Sequence, residues 1–191
     1  MINEFIENYV KKLKGLLDGI DSNAIADIIR ILETAQHKKS NIYVMGNGGS
    51  AATASHMVND LGVGLQRRGL MYFRISSLAD NTPVTTALAN DIGYDNIFVS
   101  QLVNRLEPDD VIIAISCSGD SPNIVRACEY AAEVGATIIG VTGFGGGRLK
   151  ELADISFHVD TPKGEYGLVE DMHLILDHII YSYYISKGGS K

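Results

Sequence analysis

Hydrophobic positions follow two patterns in turn along the chain. Over residues 3–17, Phe5, Ile6, Tyr9, Val10, Leu13, Leu16 and Leu17 recur at three- and four-residue intervals, which predicts an amphipathic helix. Ser22 stands where a helix cap belongs, ahead of a stripe of Ile25, Ile28, Ile29 and Leu32 that predicts a second helix to about Ala35. From Ile42 onward, short apolar runs take over. Residues 42–45, 71–75, 111–115, 137–141 and 155–159 are mostly apolar, and 42–45 and 111–115 are so without a break, as strands covered on both faces are. Helical patterns separate most of them, at 50–61, 83–88, 94–106 and 123–134, and a long one at 168–184 follows the last strand. This order predicts an α/β protein, a three-layer α/β/α sandwich around a five-stranded parallel sheet.

Composition narrows the field. Of 191 residues, 46% are hydrophobic and 20% charged, enough apolar content for a full core. A net charge of −7 speaks against nonspecific binding of nucleic acid. Two cysteines, Cys117 and Cys128, are too few for a disulfide framework and fit a reducing compartment. The first residues show no basic head followed by an apolar run, and no stretch is long enough for a membrane span. The expectation is one domain over residues 1–191 in the cytoplasm, with helices at 3–38 and 168–186 flanking the sheet, a frayed tail over 187–191, and no membrane partner.

Chemistry concentrates where two strands end. The first strand runs into Gly46-Asn47-Gly48-Gly49-Ser50, and the third into Ser116-Cys117-Ser118-Gly119-Asp120-Ser121. Ligands of a parallel sheet bind beyond the carboxyl ends of its strands. Glycines let a backbone approach a ligand closely, and the free N–H groups of a following helix favour an anion. Ser50 and Ser121 are expected to cap the helices that follow. Capping and turn chemistry account for Ser121 and leave Ser116 and Ser118 as surplus hydroxyls suited to phosphate oxygens. Cys117 lies near a helix start, where a lowered thiol pKa is conceivable, yet no base adjoins it in sequence, so it is read as a turn residue.

A second constellation is formed by histidines and carboxylates. His56 and Asp60 share a helix face at i, i+4 spacing. The final helical pattern carries Glu170, Asp171, His173, Asp177 and His178. Glu170 and His178 lie about 80° apart around a helix, whereas His173 points about 140° away from His178. Spacing alone leaves a cation site, a solvated face and a subunit contact all open.

The two turns together resemble those of the sugar isomerase (SIS) domain, a flavodoxin-like α/β fold. Within that superfamily the chain resembles the phosphoheptose isomerases over nearly its whole length, including Asn90-Asp91-Ile92-Gly93 and the last helix. Where that family normally has Thr-Ser-Gly-Asn-Ser, this chain has Cys117-Ser118-Gly119-Asp120-Ser121. The resemblance implies an aldose–ketose isomerase that converts sedoheptulose 7-phosphate to D-glycero-D-manno-heptose 7-phosphate through an enediol. It implies a divalent metal, most commonly zinc, at His56, Asp60, Glu170 and His178. Asp60 stands for the family's Glu and Glu170 for its Gln, which makes harder ions such as Mn²⁺ more competitive. It implies substrate contacts at Asn47, Gly48, Gly49, Ser50, Asp60, Asn90, Asp91, Ser116, Cys117, Ser118, Ser121 and Glu170. Acid–base roles fall to Asp60 and His178, with Glu170 as the alternative base because Asp60 is one methylene shorter. Arg67 and Arg68 are candidates for an arginine the family often carries after its first helix. A homotetramer with sites at subunit boundaries is also implied. The alternatives are an isomerase of another sugar phosphate, or a non-catalytic SIS protein that binds the replication initiator or senses a sugar phosphate.

Overall fold

The computed structural model describes residues 1–188. Two long helices lead, α1 (Ile2–Asp18) and α2 (Ser22–Lys38). The cap of α2 is Asp21 rather than Ser22: its carboxylate accepts the N–H groups of Asn23 and Ala24 at 2.9 and 3.1 Å. An anionic acceptor there satisfies free N–H groups and meets the positive end of the helix dipole. β1 (Asn41–Gly46) leads into α3 (Gly49–Met57). That helix does not stay α-helical to Leu61. It widens into a π-helical segment, Val58–Gly64, and ends in the short α4 (Leu65–Arg67).

β2 (Arg74–Ser77) starts three residues later than the apolar run suggested. It is an edge strand, and its pairing with β1 begins only at Arg74 opposite Asn41. Phe73 is fully buried just before that pairing starts, so hydrophobicity marked the core contact and not the hydrogen-bonded register. α5 (Thr82–Ile92) follows, capped by Asn81. The helix expected over 94–106 is broken. A 3₁₀ turn, Tyr94–Asn96, precedes the one-turn α6 (Val99–Leu102), and Asn104 leaves the helical path with φ 59°. Asn tolerates that left-handed conformation better than most residues.

The second half is regular: β3 (Val111–Ser116), α7 (Pro122–Val134), β4 (Thr137–Gly143), α8 (Gly147–Leu152), β5 (Ile155–Val159) and α9 (Tyr166–Gly188). Lys187 and Gly188, expected to fray, close α9; the rest of that tail, residues 189–191, lies outside the described residues.

All five strands are parallel, in the order β2-β1-β3-β4-β5. Successive side chains of β3 go to opposite faces and are buried on both. Ile113 and Ile115 join Ile28, Leu32, Leu61, Val169 and Leu176 under α2, α3 and α9. Ile112 and Ala114 join Phe98, Ile124, Cys128 and Leu149 under α6, α7 and α8. This is the three-layer sandwich that the apolar runs predicted. Strand order reverses between β1 and β3, and a crevice opens outside the carboxyl ends of the two strands where that happens. Both glycine/serine turns lie there.

Among the described residues, no helix is long and apolar enough to cross a membrane.

Candidate functional site

The first turn works through its backbone. Gly48 takes φ 54°, and α3 opens directly from it, so Gly48 is the cap residue and Ser50 lies inside the first turn, 5% exposed. Gly46 has no room for a side chain, since a Cβ would lie 2.6 Å from the Ser50 carbonyl carbon. Asn47 is clamped. It exchanges amide hydrogen bonds with buried Asn123 at 2.9 Å, and the Tyr94 hydroxyl donates to its Oδ1 at 2.9 Å. Asn123 and Tyr94 were not singled out from sequence. An asparagine two residues beyond the Ser121-Pro122 helix start was the available signal for the first.

The serine turn is braced from behind. Ser116 Oγ accepts the Gly119 N–H at 3.1 Å, and Ser118 Oγ accepts the Asp120 N–H at 3.2 Å. Asp120 Oδ1 accepts the Arg148 N–H of α8 at 2.8 Å, and the Gly119 carbonyl accepts the Leu149 N–H at 2.9 Å. Each serine therefore uses acceptor capacity to hold the turn and keeps a hydroxyl proton to donate. Ser121 occupies the cap position of α7 but makes no side-chain cap bond; its Oγ faces that of Ser116 at 3.4 Å. Cys117 is not activated. Burial, reinforced by the charge of Glu170, pushes its thiol up to about 11.

Asn47, Ser50, Ser116, Cys117, Ser118 and Ser121 line a cleft of about 170 Å³, closed on its other side by Tyr166 and Glu170 of α9. The Glu170 carboxylate lies against the backbone of Gly49, in space that a Cβ at that position would need. It thus sits at the positive end of α3. Asn90 and Asp91 are exposed at the end of α5 and bond to each other at 2.9 Å. Arg68 donates to the Gly64 carbonyl at 3.1 Å and stacks on Tyr181, 5.3 Å from its ring centre, and neither it nor Arg67 lines the serine cleft.

The histidines and carboxylates form a second cluster at the far end of α3. His56, Asp60, Asp177 and His178 each offer one ligand atom, and all four atoms lie within 4.8 Å of one another. His56 Nε2 is 3.2 Å from His178 Nε2, 3.4 Å from Asp60 Oδ2 and 3.9 Å from Asp177 Oδ2. Three of the four ligands suggested by resemblance are here; Glu170 is in the serine cleft instead. Asp177 is fully buried, and neither of its oxygens has a hydrogen-bond partner. Burial, followed by the charge of Asp60, pushes its carboxyl up to about 7.

His173 stays apart from the cluster, about 140° around the helix from His178. It is 1% exposed and its Nε2 lies 3.1 Å from the Thr142 carbonyl, which a neutral ring satisfies as donor. Burial lowers it to about 4. An unfolded histidine titrates near 6.5, so the stability held by the neutral ring is complete above about pH 6.5 and is lost as pH falls toward 4. Between pH 7 and 4.5 this one group is expected to remove about 2–3 kcal/mol of unfolding free energy. Urea titrations of the wild type and of His173→Asn test this: the variant should lose that much less over the interval, and equal losses would refute the assignment.

With this geometry in view, likeness to known proteins is decisive. The SIS domain family model matches residues 5–143. A phosphoheptose isomerase of Geotalea daltonii is 38% identical over 162 residues, covering 82% of both chains. That of Helicobacter pylori is 32% identical over 189 residues, covering 94% of both. The chain belongs to the phosphoheptose isomerase family of SIS-domain proteins. The fold agrees: a phosphoheptose isomerase from Neisseria gonorrhoeae superposes with a TM-score of 0.87 at 23% identity, covering 97% of this chain and 100% of that one. One from Francisella tularensis gives 0.85 at 25% identity, covering 96% and 95%. In this member of the family, the serine cleft and the His/Asp cluster lie at opposite ends of one helix.

Proposed function

We propose that this protein is an aldose–ketose isomerase that interconverts sedoheptulose 7-phosphate and D-glycero-D-manno-heptose 7-phosphate. The observation that carries the reading is the placement of two unlike sites along α3. Seven residues separate Gly49 from His56, or ~10 Å of helix. That matches an extended seven-carbon sugar phosphate, at ~1.25 Å of reach per C–C bond plus the phosphate ester. A phosphate at the switch point would meet the hydroxyls of Ser116, Ser118 and Ser121 and the free N–H groups of the first turn of α3, neutral donors and a helix dipole that favour an anion. The carbonyl end would then extend toward the His/Asp cluster.

His56, Asp60, Asp177 and His178 suit a divalent cation, and the unpartnered oxygens of Asp177 are the observation that favours one. Two imidazoles with two carboxylates fit zinc, and such an ion supplies Lewis-acid polarisation of a sugar oxygen. The protein's own groups do the remaining work. Glu170, turned from Gly49 toward the carbonyl end by the like charge of the incoming phosphate, is the base that takes a proton from one carbon and, after exchange with solvent, delivers one to its neighbour. Asp60 is poorly placed for that role, since Oδ2 faces His56 and Oδ1 accepts from the Asn59 amide at 2.9 Å. The Cys117 thiol and Tyr166 limit water in the serine cleft.

Association into a homotetramer is part of the reading. No residue of α1 is buried, and Ile2, Phe5, Ile6, Val10 and Leu17 are exposed, which supports burial of this face against another copy. Metal-loaded protein given sedoheptulose 7-phosphate is expected to form the aldose phosphate, resolved by anion-exchange chromatography, while running at tetramer mass by light scattering. A monomer that forms no product would sink both parts.

A further inference from the structure

We propose that Asp177, and not Glu170, completes the divalent-cation site of His56, Asp60 and His178, which frees Glu170 for the sugar. The inference refines the isomerase reading by assigning to the metal a residue that the family resemblance did not indicate.

Distances carry the first part of the argument. Four ligands held at 2.0–2.2 Å around a tetrahedral zinc stand ~3.3–3.6 Å from each other. The observed separations from His56 Nε2 are 3.2 Å to His178, 3.4 Å to Asp60 and 3.9 Å to Asp177. The two facing imidazole nitrogens either share one proton in an N–H···N bond or both turn lone pairs to a cation between them. The rings meet at 67° with centres 5.1 Å apart, tilted as two ligands converging on one point are.

Burial supplies the second part. A carboxylate removed from water needs partners, and one left without any is costly enough that proteins seldom retain it. Asp177 is fully buried with both oxygens bare, on a helix face that it shares with His173, Ile180 and Tyr184. No protein donor accounts for an acid at that position. A cation 2 Å away does, because it offsets the desolvation of the carboxylate.

Glu170 stands apart from the cluster in the structure. It lies eight residues, ~12 Å, before His178. Its carboxylate rests on Gly49 in the serine cleft, at the other end of α3 from His56.

The test is zinc affinity, read without any sugar, so that its failure is separate from failure of the isomerase assignment. Zinc binding by calorimetry with chelator competition should weaken a hundredfold or more in Asp177→Asn and stay within threefold of wild type in Glu170→Gln. With Co²⁺ as probe, the visible bands of a four-coordinate site should lose intensity in Asp177→Asn alone. Asp177→Leu guards against a folding artefact: without metal it should melt no lower than wild type, because an unpaired buried acid is gone, yet zinc should no longer raise its melting temperature. The proposal is overturned if Glu170→Gln loses the metal while Asp177→Asn retains it, if both retain it, or if Asp177→Leu keeps the full zinc-induced shift.

Discussion

Glu170→Gln is expected to lower turnover of the metal-loaded protein by a hundredfold or more while its zinc content stays at the wild-type level. The substitution preserves shape and removes the charge and the capacity to accept a proton. Loss of a positioned general base commonly costs 10²–10⁴ in rate. Glu170 is the one carboxylate lining the serine cleft among its described residues, and Asp60 is committed to His56 and Asn59. Asp60→Asn should fail differently. It should reduce zinc affinity and recover much of its activity when zinc is raised to saturation. If instead Asp60→Asn remains inactive at saturating zinc and Glu170→Gln turns over within tenfold of wild type, the base is Asp60.

The second large effect belongs to a residue that touches neither substrate nor metal. Gly119→Ala is expected to lower unfolding free energy by about 3 kcal/mol or more, a magnitude typical of strain that a packed site cannot relax. Gly119 has φ 70°, and a Cβ there would overlap the carbonyl oxygen of Gly146 and lie 2.6 Å from its carbon. Neither backbone can retreat freely. Gly119 is tied to Ser116 Oγ and Leu149, and Gly146 donates its N–H to Gly143 at 2.8 Å. Gly135 separates conformation from collision. Its φ is 87°, with nothing within 4 Å of a Cβ, so Gly135→Ala should cost only ~1 kcal/mol. Thermal and urea unfolding of the two variants side by side checks the difference. Equal losses would mean that the serine turn is not held by α8.

Central strands could be read from sequence because burial on both faces turns them into unbroken apolar runs. β1, β3 and β4 fell where Ile42, Val111 and Ile138 begin such runs. β2 was displaced because an edge strand is defined by its partner's hydrogen bonds, and Phe73 is apolar for packing alone. The π-helical stretch after Met57 leaves no mark on residue spacing, since Asp60 sits four residues after His56 in either geometry.

The candidate site was half legible. Turns rich in glycine and serine announce themselves, and His56 with Asp60 follows from helical spacing. The role of Asp177 does not follow from its charge. It follows from full burial with both oxygens unpartnered beside His56 and Asp60, which helical spacing does not disclose. Glu170 was drawn to the metal by resemblance, whereas the side chain leans to the start of α3, whose dipole and bare Gly49 receive it. Asn123 and Tyr94 act only through Asn47, a contact across 76 and 47 positions that no local pattern encodes.

Proton exchange with solvent examines the proposed chemistry most directly. Zinc-loaded protein incubated in deuterium oxide with sedoheptulose 7-phosphate should yield aldose phosphate carrying deuterium at C2, seen as loss of that proton signal in the NMR spectrum, and Glu170→Gln should slow the incorporation by at least a hundredfold. Recovery of the ketose unchanged, with no label at C1 and no aldose formed by protein of full zinc content, would contradict an enediol isomerase at this cleft.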